Sequence, residues 1–316
     1  MADIEALTRS VQSLQTAFEG ERYICSESIA TAVFLAYHLR KPVLIEGPPG
    51  VGKTELAKTT AKMFDLPLIR LQCYEGLDES KALYEWKYGK QLLYTQVLKE
   101  TLDEVLLGAK GFTESIKRLH EFGDLFFSEE FLEPRPLLKA LKEENGSILL
   151  IDEVDKSDHE FESLLLEILS DFQVTIPEIG TIKADEPPIV FITSNRTREV
   201  HDALKRRCLY HWLDYPEAER ELAILQARVP GVPTLLSRQV VGAVQALRHL
   251  ELFKPPGVAE TIDWASALVA LGRERFDKAV MAETLGVVLK YHDDIEMVRG
   301  QHLDPLFAAA VGFGEA

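Results

Sequence analysis

The residues Gly47-Pro48-Pro49-Gly50-Val51-Gly52-Lys53-Thr54 fit the spacing G-x-x-x-x-G-K-[ST]. Each position has a chemical task. Glycines let the backbone curl until successive N–H groups converge on phosphate oxygens, and a helix starting behind them adds its positive end. A lysine at position 53 reaches β- and γ-phosphates, and a hydroxyl at Thr54 is placed to ligate Mg²⁺. Val43–Glu46 ahead of the loop is a short apolar run, and Glu55–Thr60 behind it continues at helical spacing, with Glu55 in the first turn. A strand–loop–helix of this kind predicts a site for ATP and Mg²⁺.

A second run answers the first. Ser147–Ile151 is apolar and ends in Asp152-Glu153. In that position an aspartate organises the metal shell and a glutamate polarises an attacking water. A buried strand that simply ends in acids is the alternative. Ile189–Thr193 is another apolar run and finishes in Ser194-Asn195. Asn195 is either a group that orients the water or an ordinary strand-end amide. Arg206-Arg207 follows a short helical stretch, and is either a solvated doublet or a cation presented to the γ-phosphate of a neighbouring subunit. Tyr23 and Ile24 precede a helix whose apolar face includes Val33, Phe34 and Tyr37. They either flank an adenine ring or pack into the core.

The elements that must hold these groups follow from periodicity. Residues 1–22 read as a leading helix, Ser28–Leu39 as a second, and Leu66–Cys73 as a buried strand. Residues 74–146 form a long connection. Its stretch Leu83–Leu98, with Tyr84, Trp86, Tyr88 and Tyr94, predicts a hairpin or helical insertion. Helices are expected near Glu100–Leu107, Glu114–Phe122 and Arg135–Lys142, the last opened by Pro136. Phe161–Phe172 reads as an amphipathic helix, Val174–Ala184 as a hairpin turning at Glu178-Ile179-Gly180, and Leu209–Leu213 as a strand. From Pro216 onward only helical patterns recur: Glu217–Arg228, Leu236–Leu250, Glu260–Leu271 and Lys278–Tyr291. The last dozen residues are expected to be poorly ordered. The expected fold is therefore a doubly wound α/β core over 1–215 and a smaller all-α domain over 216–316.

Charge excludes one class of partner. Lys+Arg number 35 against Asp+Glu 51, a formal net charge of −16. Such a surface repels polyanions, and the basic doublets Arg40-Lys41, Lys117-Arg118 and Arg206-Arg207 make no patch for nucleic acid. The opening MADIEALTRS has no positive n-region or apolar core, and no apolar run approaches a membrane span, so a cytoplasmic protein is expected. Cys25, Cys73 and Cys208 lie far apart, without metal or redox spacing.

Together these motifs resemble an AAA+ ATPase, and within that superfamily the MoxR branch. The superfamily marks are the loop Gly47–Thr54, the acidic strand Ile148–Glu153, Asn195 at the sensor-1 position, Arg206-Arg207 and the helical lid. The branch marks are EGPPGVGKT, an insertion at about 74–98 and a hairpin at about 174–185 before sensor 1. KRRCLYHWLDYPEAEREL and PPGVAETIDWASAL resemble the subgroup that includes the ATPase encoded with carbon-monoxide-dehydrogenase-type molybdenum hydroxylases. The resemblance implies that residues 47–55 bind nucleotide and that Thr54 and Asp152 hold Mg²⁺. It also makes Glu153 the base, Asn195 the water-positioning group, and Arg207, with Arg206 second, a trans-acting finger. It implies a hexameric ring, a von Willebrand factor A-domain adaptor and a protein client, such as a metalloenzyme matured by remodelling. One departure stands out: Gly257-Val258-Ala259-Glu260-Thr261 has no arginine where many relatives carry sensor 2, leaving Arg248 or Lys254 as replacements. Two other activities use the same loop, a small-molecule kinase and a nucleic-acid motor.

Overall fold

In the computed structural model, residues 4–97, 128–177 and 179–315 are described. The expected helices Glu100–Leu107 and Glu114–Phe122, and Glu178 at the hairpin turn, lie outside them. Five parallel strands form the central sheet: β1 (Val43–Glu46), β2 (Leu68–Gln72), β5 (Ile148–Asp152), β8 (Ile189–Ser194) and β9 (Leu209–Trp212), in the order β2-β5-β8-β1-β9. Among the described residues, two antiparallel ladders complete the strands. β3 (Tyr84–Trp86) pairs with β4 (Leu132–Pro134), and β6 (Gln173–Ile176) pairs with β7 (Gly180–Lys183).

The sheet is buried on both faces because its strands are apolar at consecutive positions, and the pleat sends alternate residues to opposite sides. Leu44, Leu149, Ile151, Val190 and Ile192 pack on one side with Leu137 and Leu138 of helix Pro136–Leu141 and Phe161, Leu165 and Ile168 of helix His159–Asp171. Val43, Ile45, Ile148, Leu150 and Phe191 face the other side, against Ile29 and Val33 of helix Glu27–Leu39 and Leu56 and Phe64 of helix Lys53–Phe64. This is a doubly wound α/β layer structure. Local chemistry starts its helices: Ser26 and Asp158 accept from the backbone N–H of Ile29 and Phe161, and Pro136 occupies a first-turn position.

A separate apolar cluster gathers the helices after Pro216: Ala218–Arg228, Thr234–Arg248, Val258–Ala270 and Lys278–Val288. Trp264 is fully buried there, and its indole N–H donates to Thr284 at 2.8 Å. Three expectations need correction. The leading helix breaks into Ile4–Leu7 and Val11–Gly20, because Ser10 caps the second piece by accepting from Ser13 N–H. Of the two alternatives for Leu83–Leu98 the helical one is present as Tyr88–Val97, and the hairpin one is not: the strand Tyr84–Trp86 takes its partner from Leu132–Pro134. The terminal residues form helix Leu303–Glu315, whose buried Leu306 and Ala310 dock on Thr234–Arg248. Gly242 permits that contact, since a Cβ there would stand 2.7 Å from Cβ of Phe313.

Candidate functional site

The ends of β1, β5 and β8 face one cavity of about 410 Å³. The loop Gly47–Thr54 leaves β1 and enters helix Lys53–Phe64 at Gly52, whose φ of 100° lies in the left-handed region that glycine tolerates. Lys53 is buried, and its Nζ donates to the carbonyls of Gly47 and Pro48, both at 2.7 Å. Burial pulls its pKa from 10.5 down to about 8, against the opposing pull of the nearby Asp155, Asp152 and Glu153 carboxylates.

Asp152 and Glu153 are held from both neighbouring strands. Thr54 Oγ1 stands 3.2 and 3.3 Å from the two carboxylate oxygens of Asp152. From β8, Thr193 Oγ1 donates to Asp152 Oδ1 at 2.5 Å and accepts from Glu153 N–H at 2.9 Å, while Asn195 Nδ2 donates to Glu153 Oε1 at 3.2 Å. From β2, Arg70 donates to Asp152 Oδ2 through Nε at 3.0 Å and Nη2 at 2.6 Å. Gln72 Nε2 donates to Glu153 Oε2 at 2.8 Å. Lys156 pairs with the same glutamate oxygen at 2.6 Å. Glu153 has a φ of 57°, an uncommon value for a side-chain-bearing residue, at the point where the chain leaves β5. Buried Asp155 accepts from the N–H of Asn195 and of Thr197, which fixes the loop that carries Asn195.

The fit to Mg²⁺ rests on these donors. A hydroxyl and a carboxylate in mutual contact are hard oxygen ligands, and no group of three His, Cys, Asp or Glu among the described residues could hold an ion alone. A metal brought with phosphates needs only one or two protein oxygens.

The apolar lining of the cavity comes from Tyr23, Ile24, Pro216, Ile224, Val258 and Ile262. Tyr23 lines the cavity and also packs on the core, with its ring 5.4 Å from that of Phe18. Burial pushes its phenol pKa up. The lid closes directly on the loop. Ala259 N–H donates to Gly50 O at 3.1 Å, and Arg228 pairs with Glu55 at 2.7 Å. Arg220 donates to Ile24 O at 3.1 Å.

Arg206 and Arg207 are exposed at the end of helix Asp202–Arg207, and neither lines the cavity of its own subunit; Arg207 contacts Ser170 Oγ. Arg248 does not line the cavity. It is buried in an ion pair with Glu221 at 2.6 Å, beneath the Tyr215 ring at 4.6 Å, and donates to Pro256 O at 2.8 Å. Lys254 does not line the cavity either, whereas Arg220 and Arg228 of the first lid helix do. All three thiols stay protonated: burial raises Cys25 to about 11 and Cys73 and Cys208 to about 12.

Arg70, Gln72, Thr193, Arg220 and Arg228 escaped sequence reasoning. Arg70 and Gln72 alternate on a strand otherwise apolar, LIRLQ, and two polar groups on one face near a strand's C-terminal end were the available signal. Nothing local distinguishes Arg228 from any charged residue on an amphipathic helix.

Residues 42–208, more than half of the chain, match the family described as AAA domain (dynein-related subfamily). The denitrification regulatory protein NirQ of Pseudomonas aeruginosa is 24% identical over 242 residues, 74% of this chain and 78% of that protein. An uncharacterized protein of Staphylococcus aureus is 28% identical over 190 residues, 58% of this chain. The chain spans only 59% of that relative's length. Among solved structures, the Thermotoga maritima RuvB Holliday junction branch migration motor is similar at 16% identity, with a TM-score of 0.44 over 83% of this chain and 67% of that one.

Proposed function

The chain belongs to the dynein-related subfamily of AAA domains, and on that premise we propose that it is a MoxR-type ATPase that spends ATP hydrolysis on remodelling a protein client. The observation that carries this reading is the meeting of Thr54, Asp152, Glu153 and Asn195 at one cavity mouth beside Lys53.

The loop binds the phosphates through backbone N–H groups of its non-proline residues from Gly50 to Thr54, and Lys53 turns from the Gly47 and Pro48 carbonyls to the β- and γ-oxygens. Thr54 and Asp152 hold Mg²⁺, which when bound neutralises charge on the phosphates. Glu153 takes the proton of the attacking water as that water's oxygen bonds to the γ-phosphorus, and ADP leaves. Asn195, fixed through Asp155, orients the water with Glu153. Tyr23, Ile24, Ile224 and Ile262 enclose the base. Arg207, with Arg206 beside it, completes the site of a neighbouring subunit, which calls for a closed ring such as a hexamer. The Ala259–Gly50 contact and the Arg228–Glu55 pair link lid and nucleotide where sensor 2 is absent.

Hydrolysis is passed to a client through the hairpin β6–β7, which joins helix His159–Asp171 to β8, the strand that leads into Asn195. A metalloenzyme, in particular a molybdenum hydroxylase, is the proposed client, with a von Willebrand factor A-domain adaptor, in the cytoplasm. NirQ carries a regulatory role in its name, and action on another protein suits such a role. Among the described residues no helix is long and apolar enough to cross a membrane. The charge of −16 disfavours a nucleic-acid track.

Glu153→Gln tests the chemistry. ATP binding should persist while phosphate release falls by roughly 10²- to 10⁴-fold. Undiminished hydrolysis would remove Glu153 from the reaction, and a phosphorylated acceptor as product would replace an ATPase by a kinase.

A further inference from the structure

Asp152 is 3% exposed at the end of an inner strand, and a carboxylate so placed needs a positive partner. Lys53 is turned to the Gly47 and Pro48 carbonyls, Lys156 is paired with Glu153, and Thr54 and Thr193 are neutral donors. Among the described residues, the cation in contact with Asp152 is Arg70, which grips Oδ2 through both Nε and Nη2. We propose that Arg70 is the resident counter-cation of the metal subsite, paired with Asp152 until Mg²⁺ arrives with nucleotide and displaces it. This rests on the assignment of Thr54 and Asp152 to the metal.

The geometry makes metal binding an exchange. An ion shared by Thr54 Oγ1 and Asp152 needs lone pairs that now accept protons from Thr54 and Arg70. Thr54 can turn its proton away by rotation, but Oδ2 is freed for the ion only when Arg70, which holds it twice, moves. Its side chain is 48% exposed and lines the cavity, so it can enter water or meet a phosphate without crossing packed core. Its second anchor is Gln72 Oε1 at 2.5 Å, and Gln72 in turn holds Glu153. The departure of Arg70 therefore also removes a donor from the amide that restrains the base. A guanidinium suits the resting pair, because its planar fork matches a carboxylate and its weak hydration lowers the cost of pairing.

The test is the Mg²⁺ dependence of nucleotide binding to the full chain, read with a fluorescent ATP analogue titrated from EDTA into Mg²⁺. In Arg70→Gln the Mg²⁺ concentration at half-maximal gain should fall roughly 3- to 10-fold, as expected when a half-exposed pair stops competing. In an Asp152→Asn background the same substitution should shift nothing. An unchanged or higher midpoint in Arg70→Gln would overturn the proposal, since a higher one would mean that Arg70 assists the bound metal–nucleotide complex. Should Arg70→Gln fail to fold, Arg70→Lys decides: its single point charge should lower the midpoint by roughly 2-fold, and an unmoved midpoint overturns the proposal. Wild-type protein without any Mg²⁺-dependent gain would overturn the metal assignment itself, and this inference with it.

Discussion

Lys53 sits where burial opposes its charge. Its pKa in the nucleotide-free protein is about 8, below the ordinary 10.5, so the folded state binds this proton less well than the unfolded state does. Stability from this group is therefore lowest below about pH 8 and rises as pH climbs from the folded toward the unfolded value. Phosphate binding reverses the balance, because it favours the charged amine. ATP affinity should fall above pH 8, and binding there should take up a proton. Calorimetry of Mg·ATP binding in buffers of different ionisation heat should find uptake near zero at about pH 7 and approaching one proton at about pH 9. Equal uptake at both would mean that Lys53 stays charged throughout. The loop lysine, Thr54 and the Asp152-Glu153 pair were legible in the sequence because their chemistry sits at fixed local spacing. Arg70 and Gln72 were not, because their role comes from the register that sets Gln72 beside Asp152 across two strands.

At the scale of elements, the lid meets the phosphate loop where Gly257 opens helix Val258–Ala270. A Cβ at that position would stand 2.8 Å from Pro49 O and 2.9 Å from the Gly50 Cα. Gly257 has a φ of −86°, which alanine adopts freely, so Gly257→Ala adds a steric push without backbone strain. The lid should shift off the loop and weaken the Ala259–Gly50 hydrogen bond. Nucleotide affinity should drop roughly 3- to 10-fold, about 1 kcal/mol, with the far-UV circular dichroism spectrum retained. Unaltered affinity would separate the lid from the nucleotide and leave the missing sensor-2 arginine without a substitute. Element types were largely readable from periodicity, since consecutive apolar runs marked the strands and 3.6-residue spacing marked the lid. The breaks were not. Ser10 ends one helix and caps the next, an effect of a single side-chain oxygen. Helix Leu303–Glu315 is rich in Ala and Gly, and its stability lies in tertiary contact with Thr234–Arg248.

At the scale of the whole molecule, the doubly wound core carries the phosphate loop, the acidic strand end and Asn195, the lid adds Arg220 and Arg228 to the same cavity, and the arginine proposed to complete the site stands elsewhere. Arg206 and Arg207 stand on the surface, outside the cavity that holds Lys53, Thr54, Asp152, Glu153 and Asn195. On the proposed reading, a single subunit is an incomplete catalyst. If Arg207 serves the neighbouring site, the active unit is an interface between subunits, and mixed assemblies reveal whether it is. Arg207→Ala alone should bind ATP normally and lose most hydrolysis, by up to the roughly 10³- to 10⁵-fold that such fingers contribute elsewhere. Glu153→Gln alone should be comparably inactive. Co-expressed in equal amounts and co-purified as one assembly, the two should recover hydrolysis, because an interface that joins an intact Glu153 to a neighbour's intact Arg207 forms in about a quarter of random pairings. Recovery near that fraction of wild-type activity per site is the predicted result. A co-purified mixture no more active than its components would contradict a shared site at Arg207.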